Sequence, residues 1–111
     1  MVKKSIVKAS EYLKNCLEAR GVTVSKIILL GSHARGRTHK ESDVDFIIVS
    51  EDFRGKDIFD RAGLIGDVEY LTVKKFKLPL DLLLKTPEEI QAGASVTAEY
   101  IEKEGVVVWA A

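Results

Sequence analysis

The feature that most constrains this chain is the run Asp43-Val44-Asp45-Phe46-Ile47-Ile48-Val49. A stretch so rich in β-branched and apolar residues reads as a strand over residues 43 to 50, with two carboxylates at its head. Side chains two apart on a strand point to the same face, so Asp43 and Asp45 aim together, about 6.5 Å apart along the backbone. Two carboxylates so placed repel each other and lose hydration unless a cation joins them. Taken alone, an Asp-x-Asp segment is most often a turn cap beside a solvent-facing residue, so its neighbours must decide.

The preceding apolar run, Ile27-Ile28-Leu29-Leu30, closes a strand expected over residues 24 to 30 and stops at Gly31-Ser32. Two strands joined by so short a link bring these ends together. Gly31 lets backbone approach a phosphate closely, and Ser32 can cap a short helical turn of residues 33 to 36. Backbone N–H groups at such a turn form an anion site. The segment from Gly31 to Thr38 also comes near the phosphate loop G-x-x-x-x-G-K-[ST], but Arg37 stands where its lysine belongs. That motif must open a helix that crosses back to the sheet, and only four residues separate Thr38 from Asp43. The phosphate-loop reading is therefore set aside. Arg35, Arg37, His39 and Lys40 cluster within six residues beside this turn. A third carboxylate is expected to orient or deprotonate an acceptor. Asp81 is the candidate, as the only charge within Leu78-Pro79-Leu80-Asp81-Leu82-Leu83-Leu84.

Gly31-Ser32-His33-Ala34-Arg35-Gly36, then Ser42-Asp43-Val44-Asp45, then Asp81 resembles the polymerase-beta nucleotidyltransferase superfamily, and the short length its minimal branch. The resemblance covers roughly residues 22 to 90. It implies a small mixed sheet flanked by helices. It implies Gly31 and Ser32 on the triphosphate of ATP with Arg35 near phosphate, and Asp43, Asp45 and Asp81 as catalytic and magnesium-binding carboxylates, two ions being expected. It further suggests a separate small helical partner of the HEPN type, held as antitoxin to toxin, whose adenylylation would be the activity.

The rest of the chain supports one domain, residues 1–111, of α/β (α+β) class. Residues 4 to 20 carry Ile6, Ala9, Leu13, Cys16 and Leu17 at helical spacing, with Gly21 as a stop. A second helix is expected over residues 56 to 71, although Gly63 and Gly66 weaken it, and a third strand over 78 to 84, where Pro79 suggests an edge. Thr86-Pro87-Glu88-Glu89 starts a helix that runs to about Lys103 with a break near Gly93, and residues 106 to 109 form a last strand. Helices alternating with strands mean helices covering a small sheet.

Apolar residues at 46% and charged residues at 31% exclude a disordered chain, and no apolar run is long enough to span a membrane. Seventeen basic residues against seventeen acidic ones give no reason to expect a nucleic-acid coat or a membrane surface. Cys16 is the only cysteine, which excludes an internal disulfide and points to a cytoplasmic location. Asn15 and Gln91 are the only side-chain amides, a thermophile-like bias. Three readings follow: transfer of AMP to a protein, transfer to a small molecule, and a binding module that neutralises its partner by contact alone. Residues 86 to 111 leave little chain to wall off an acceptor, which favours a protein acceptor; a homodimer would be another source of that wall.

Overall fold

The computed structural model describes residues 2–36 and 43–111. Four strands form one sheet in the order β3-β2-β1-β4: β1 Lys26–Leu30, β2 Val44–Val49, β3 Leu80–Lys85 and β4 Val106–Ala110. Strand β1 runs antiparallel to both β2 and β4, and β2 runs parallel to β3, so the sheet is mixed as expected.

Alternation along β2 divides the interior in two. Val44, Phe46 and Ile48 point to one face and pack with Ile27 and Leu29 of β1. They are covered by helix α1, Lys4–Ala19, through Ile6, Ala9, Leu13 and Leu17. Each of the large side chains Ile6, Leu13 and Leu17 so buried contributes roughly 1.5–3 kcal/mol. Ile47 and Val49 point to the opposite face and pack with Ile28, Leu30 and Ile101. Ile101 belongs to helix α4, Val96–Glu104. Because β2 is central, both of its faces are consumed by packing from Phe46 onward. Asp45 continues the Ile47–Val49 side, at the end of the strand where this cover stops.

Two expectations about helices need correction. Residues 56 to 71 do not form one helix but two, α2 Ile58–Ile65 and α3 Val68–Phe76. The break falls at Gly66, whose φ of +51° is incompatible with continuing the helix. The Asp57 side chain caps α2 by accepting from the Asp60 N–H at 2.8 Å, and Arg20 pairs with Asp67 at the break. The stretch from Thr86 likewise does not run through as one helix. Thr86 does cap, and Glu89 returns a bond from the Thr86 N–H at 2.8 Å, but the box closes only a 3-10 turn, Glu88–Ile90. The chain restarts after Gly93, where Ser95 accepts from the Ala98 N–H at 3.0 Å and begins α4. A second complete cap five residues beyond the first turn makes two short elements the better use of the backbone.

Strand β3 is an edge strand, as Pro79 suggested. Its pairing begins with the Pro79 carbonyl accepting from the Val44 N–H at 2.8 Å, which costs proline no donor. Cys16 is half-buried against the α1 face of the core. Among the described residues no helix is long and apolar enough to cross a membrane.

Candidate active site

The antiparallel pairing of β1 with β2 sets Leu30 opposite Asp45, and the parallel pairing of β2 with β3 sets Asp45 opposite Asp81. Paired residues on adjacent strands share a face, so Asp45 and Asp81 stand side by side on the α4 face of the sheet. Asp43, exposed, leads into β2 two residues before Asp45. Two carboxylates nearly forty residues apart in the chain are thus brought together by strand register alone.

Gly31 follows β1 with a φ of +79°, and a Cβ built on it would lie 2.6 Å from Oδ2 of Asp45. Two separate constraints therefore demand glycine: the left-handed backbone and the carboxylate pressed against it. Residues 32–36 fold into tight turns, in which the Arg35 N–H donates to the Gly31 carbonyl at 3.3 Å and the Gly36 N–H to the His33 carbonyl at 3.4 Å. His33 is buried, and Ser32 lies partly exposed at the head of the turn. The Arg35 guanidinium is exposed, and its Nη1 donates to the hydroxyl of Tyr100 at 3.1 Å. Arg37, His39 and Lys40 of the basic cluster, and Ser42 of the motif, lie outside the described residues.

The electrostatics of the cluster follow from its geometry. Burial pushes the Asp45 carboxyl above the ordinary carboxylate range, the charges of Asp81 and Asp43 push it further, and His33 opposes them. Glu69 of α3 is also raised, first by burial and then by Asp81. Asp45 thus feels the charges of Asp81 and Asp43, and Glu69 that of Asp81, an arrangement that a counter-cation would relieve. The donors suit a hard cation such as magnesium, being all carboxylate oxygens. Among the described residues no group of three or more His, Cys, Asp or Glu is drawn close enough to hold a metal ion. That is compatible with magnesium, which characteristically takes one or two carboxylates and completes its shell with water and substrate phosphates.

The sequence pattern of the nucleotidyltransferase domain family matches residues 10–108. The chain belongs to that family. A proposed protein adenylyltransferase of Methanocaldococcus jannaschii is 28% identical over 80 residues, covering 72% of this chain and 54% of that protein. The chain therefore spans about half the length of this curated relative. A chain from the crystal structure of a toxin–antitoxin with AMP-PNP superimposes with a TM-score of 0.63 at 19% identity, covering 92% of this chain and 73% of that one. A chain from a tri-AMPylated Shewanella oneidensis HEPN toxin in complex with MNT antitoxin superimposes with a TM-score of 0.56 at 15% identity, covering 94% and 71%. At these identities the superpositions establish the shared fold, that of minimal nucleotidyltransferases. The glycine and aspartates singled out from the sequence fall where the geometry is tightest: Gly31 against Asp45, and Asp45 beside Asp81.

Three residues at this end were not assigned roles from sequence. Glu69 sits on a helix twelve residues before Asp81, and only the packing of α3 beside β3 gives it a neighbour. Tyr100 lies far down the chain on α4, with no signal linking it to Arg35. His33 was visible inside the glycine motif, but nothing in that motif foretold its burial beside Asp45.

Proposed function

We propose that this nucleotidyltransferase moves AMP from ATP onto a side-chain hydroxyl of a partner protein, with magnesium as cofactor. The observation that carries the reading is the register that sets Asp45 between the Gly31 turn on one side and Asp81 on the other. Support for AMP as the group moved comes from the Methanocaldococcus jannaschii relative and from the solved complexes containing AMP-PNP and an AMPylated toxin. Those complexes also make a HEPN-type protein the best candidate partner.

In this reading Asp43 and Asp45 would hold magnesium, with Asp81 beside them, and the bound ion would neutralise charge on the phosphates and align them for in-line displacement. Gly31, Ser32 and the N–H groups of the following turn cradle the distal phosphates, with Arg35 beside them. The acceptor hydroxyl oxygen attacks the α-phosphorus, the bond from that phosphorus to the bridging oxygen breaks, and pyrophosphate leaves. The hydroxyl proton passes to the Asp81 carboxylate, which lies on the exposed edge strand where an acceptor can reach it. Little covalent chemistry falls to the protein; positioning and charge do the rest.

The test is to incubate the protein with magnesium, ATP and its candidate partner, then weigh both chains by mass spectrometry. Adenylyl mass on the partner, lost with Asp45→Asn, is expected. Efficient modification of a small metabolite with the partner untouched would reassign the acceptor, and neutralisation of the partner without transfer would leave a binding module.

A further inference from the structure

Four arginines lie among the described residues, and three of them point their charge at a carboxylate: Arg20 at Asp67, Arg54 at Glu51 and Glu88, and Arg61 at Glu89. Arg35 differs. Its guanidinium is held by a neutral oxygen, the Tyr100 hydroxyl, at 3.1 Å. A carboxylate partner would hold such a side chain and cancel its charge together. A phenol holds it and leaves its charge uncancelled.

The holder is itself fixed. Helix α4 is capped at its start by Ser95 and buries Ala98 and Ile101. Ile101 packs on Ile28, Leu30, Ile47 and Val49, the side of the sheet that also bears Asp45 and Asp81. Tyr100, 42% exposed, is therefore anchored to the same layer that carries the carboxylates, while its hydroxyl reaches the turn that follows Gly31. A long side chain restrained before its ligand arrives loses less freedom on binding.

We propose that Tyr100 is a positioning residue that holds Arg35 pre-set for the distal phosphates of the nucleotide, making α4 part of the triphosphate selectivity of the site. The inference rests on the nucleotidyltransferase reading of the Gly31 turn. It places selectivity for a triphosphate over a monophosphate on a hydrogen bond made 65 residues away in sequence.

The experiment measures, by calorimetry in magnesium, the binding of AMP-PNP and of AMP to the wild type, Tyr100→Phe, Arg35→Ala and the double variant, with a melting curve for each. Tyr100→Phe is expected to weaken AMP-PNP binding about three- to tenfold, leave AMP binding unchanged and leave the melting temperature in place. The double variant should bind AMP-PNP no worse than Arg35→Ala, because the hydroxyl acts only through that arginine. Tyr100→Gln, which restores an acceptor, should recover part of the loss. Equal effects on both nucleotides, no effect on either, or losses that multiply in the double variant would overturn the role of Tyr100. A wild type that binds AMP-PNP no better than AMP would instead remove the triphosphate reading of the turn itself.

Discussion

The two ends of the sheet are both charged, and they are built on opposite rules. At the end where β1 finishes and β2 and β3 begin, carboxylates face carboxylates: Asp43, Asp45, Asp81 and Glu69. At the end where β2 and β3 finish, opposite charges meet: Arg54 with Glu51 and Glu88, Arg61 with Glu89. There the Arg54 and Arg61 guanidinium groups hold the Glu88 and Glu89 carboxyls below their usual range. A cleft of about 520 Å³ at that end is lined by Arg54, Arg61, Glu88 and Glu89, paired with one another, together with Lys85. The paired end satisfies itself and serves the fold. The carboxylate end carries repulsion that a bound cation would relieve, and perturbed groups of this kind mark sites of chemistry.

The largest effect expected from this contrast is on turnover. Asp45→Asn should lower AMP transfer by at least about a hundredfold, since even partners one shell removed from a metal are worth ten- to a hundredfold. Arg54→Ala, at the other end, should leave the transfer rate unchanged. Steady-state rates for the two variants side by side break the comparison if they fall together.

Asp81→Asn should sharpen the division of labour inside the carboxylate end. Transfer should fall by roughly 10²–10⁴-fold, the worth of a general base, while AMP-PNP binding persists. Calorimetry showing nucleotide binding lost as severely as with Asp45→Asn would make Asp81 a nucleotide residue and not an acceptor residue.

For the paired end the expected loss is in stability. Arg61 binds Glu89 through two contacts, of 2.7 and 3.2 Å, and donates to the carbonyls of Leu84 and Lys56 at 2.9 Å, so it ties α2 to β3. Arg61→Ala should cost about 1–3 kcal/mol in denaturant unfolding, and transfer per folded molecule should not change. A stability unchanged by the variant would mean that this end is no more built for the fold than the other.

The smallest effect is on pH dependence. Asp45 and Glu69 have carboxyls raised in the folded protein, so each binds its proton more tightly folded than unfolded. Each therefore favours the folded state below the unfolded carboxylate range, and that contribution is lost as pH rises through the raised folded value. In metal-free protein, melting temperature followed upward from mildly acid pH should fall more for the wild type than for Asp45→Asn. Parallel curves would show that the carboxylate end is not frustrated.

Much of this was legible in the order of residues. Strand β2 announces itself because its run is apolar on both parities, and the Asp-x-Asp at its head stands out only because Gly31-Ser32 ends the strand before it. Gly31-Ser32 and Asp81 were found the same way, as breaks in apolar patterns that local physics makes conspicuous. Boundaries shifted where turn chemistry overrode periodicity: Gly66 splits the helix that Ile58, Ala62, Ile65 and Val68 would have continued, and Ser95 restarts one after Gly93.

The sequence by itself determined the kinds of element, their apolar stripes and the three carboxylates, because each is a property of neighbours a few residues apart. Only the tertiary structure decided which groups meet. The parallel register of β2 with β3 sets Asp45 beside Asp81, the packing of α3 brings Glu69 to Asp81, and α4 carries Tyr100 to Arg35. Contacts of this sort depend on strand order and register, which are fixed by burying both faces of the sheet at once; no local pattern encodes them.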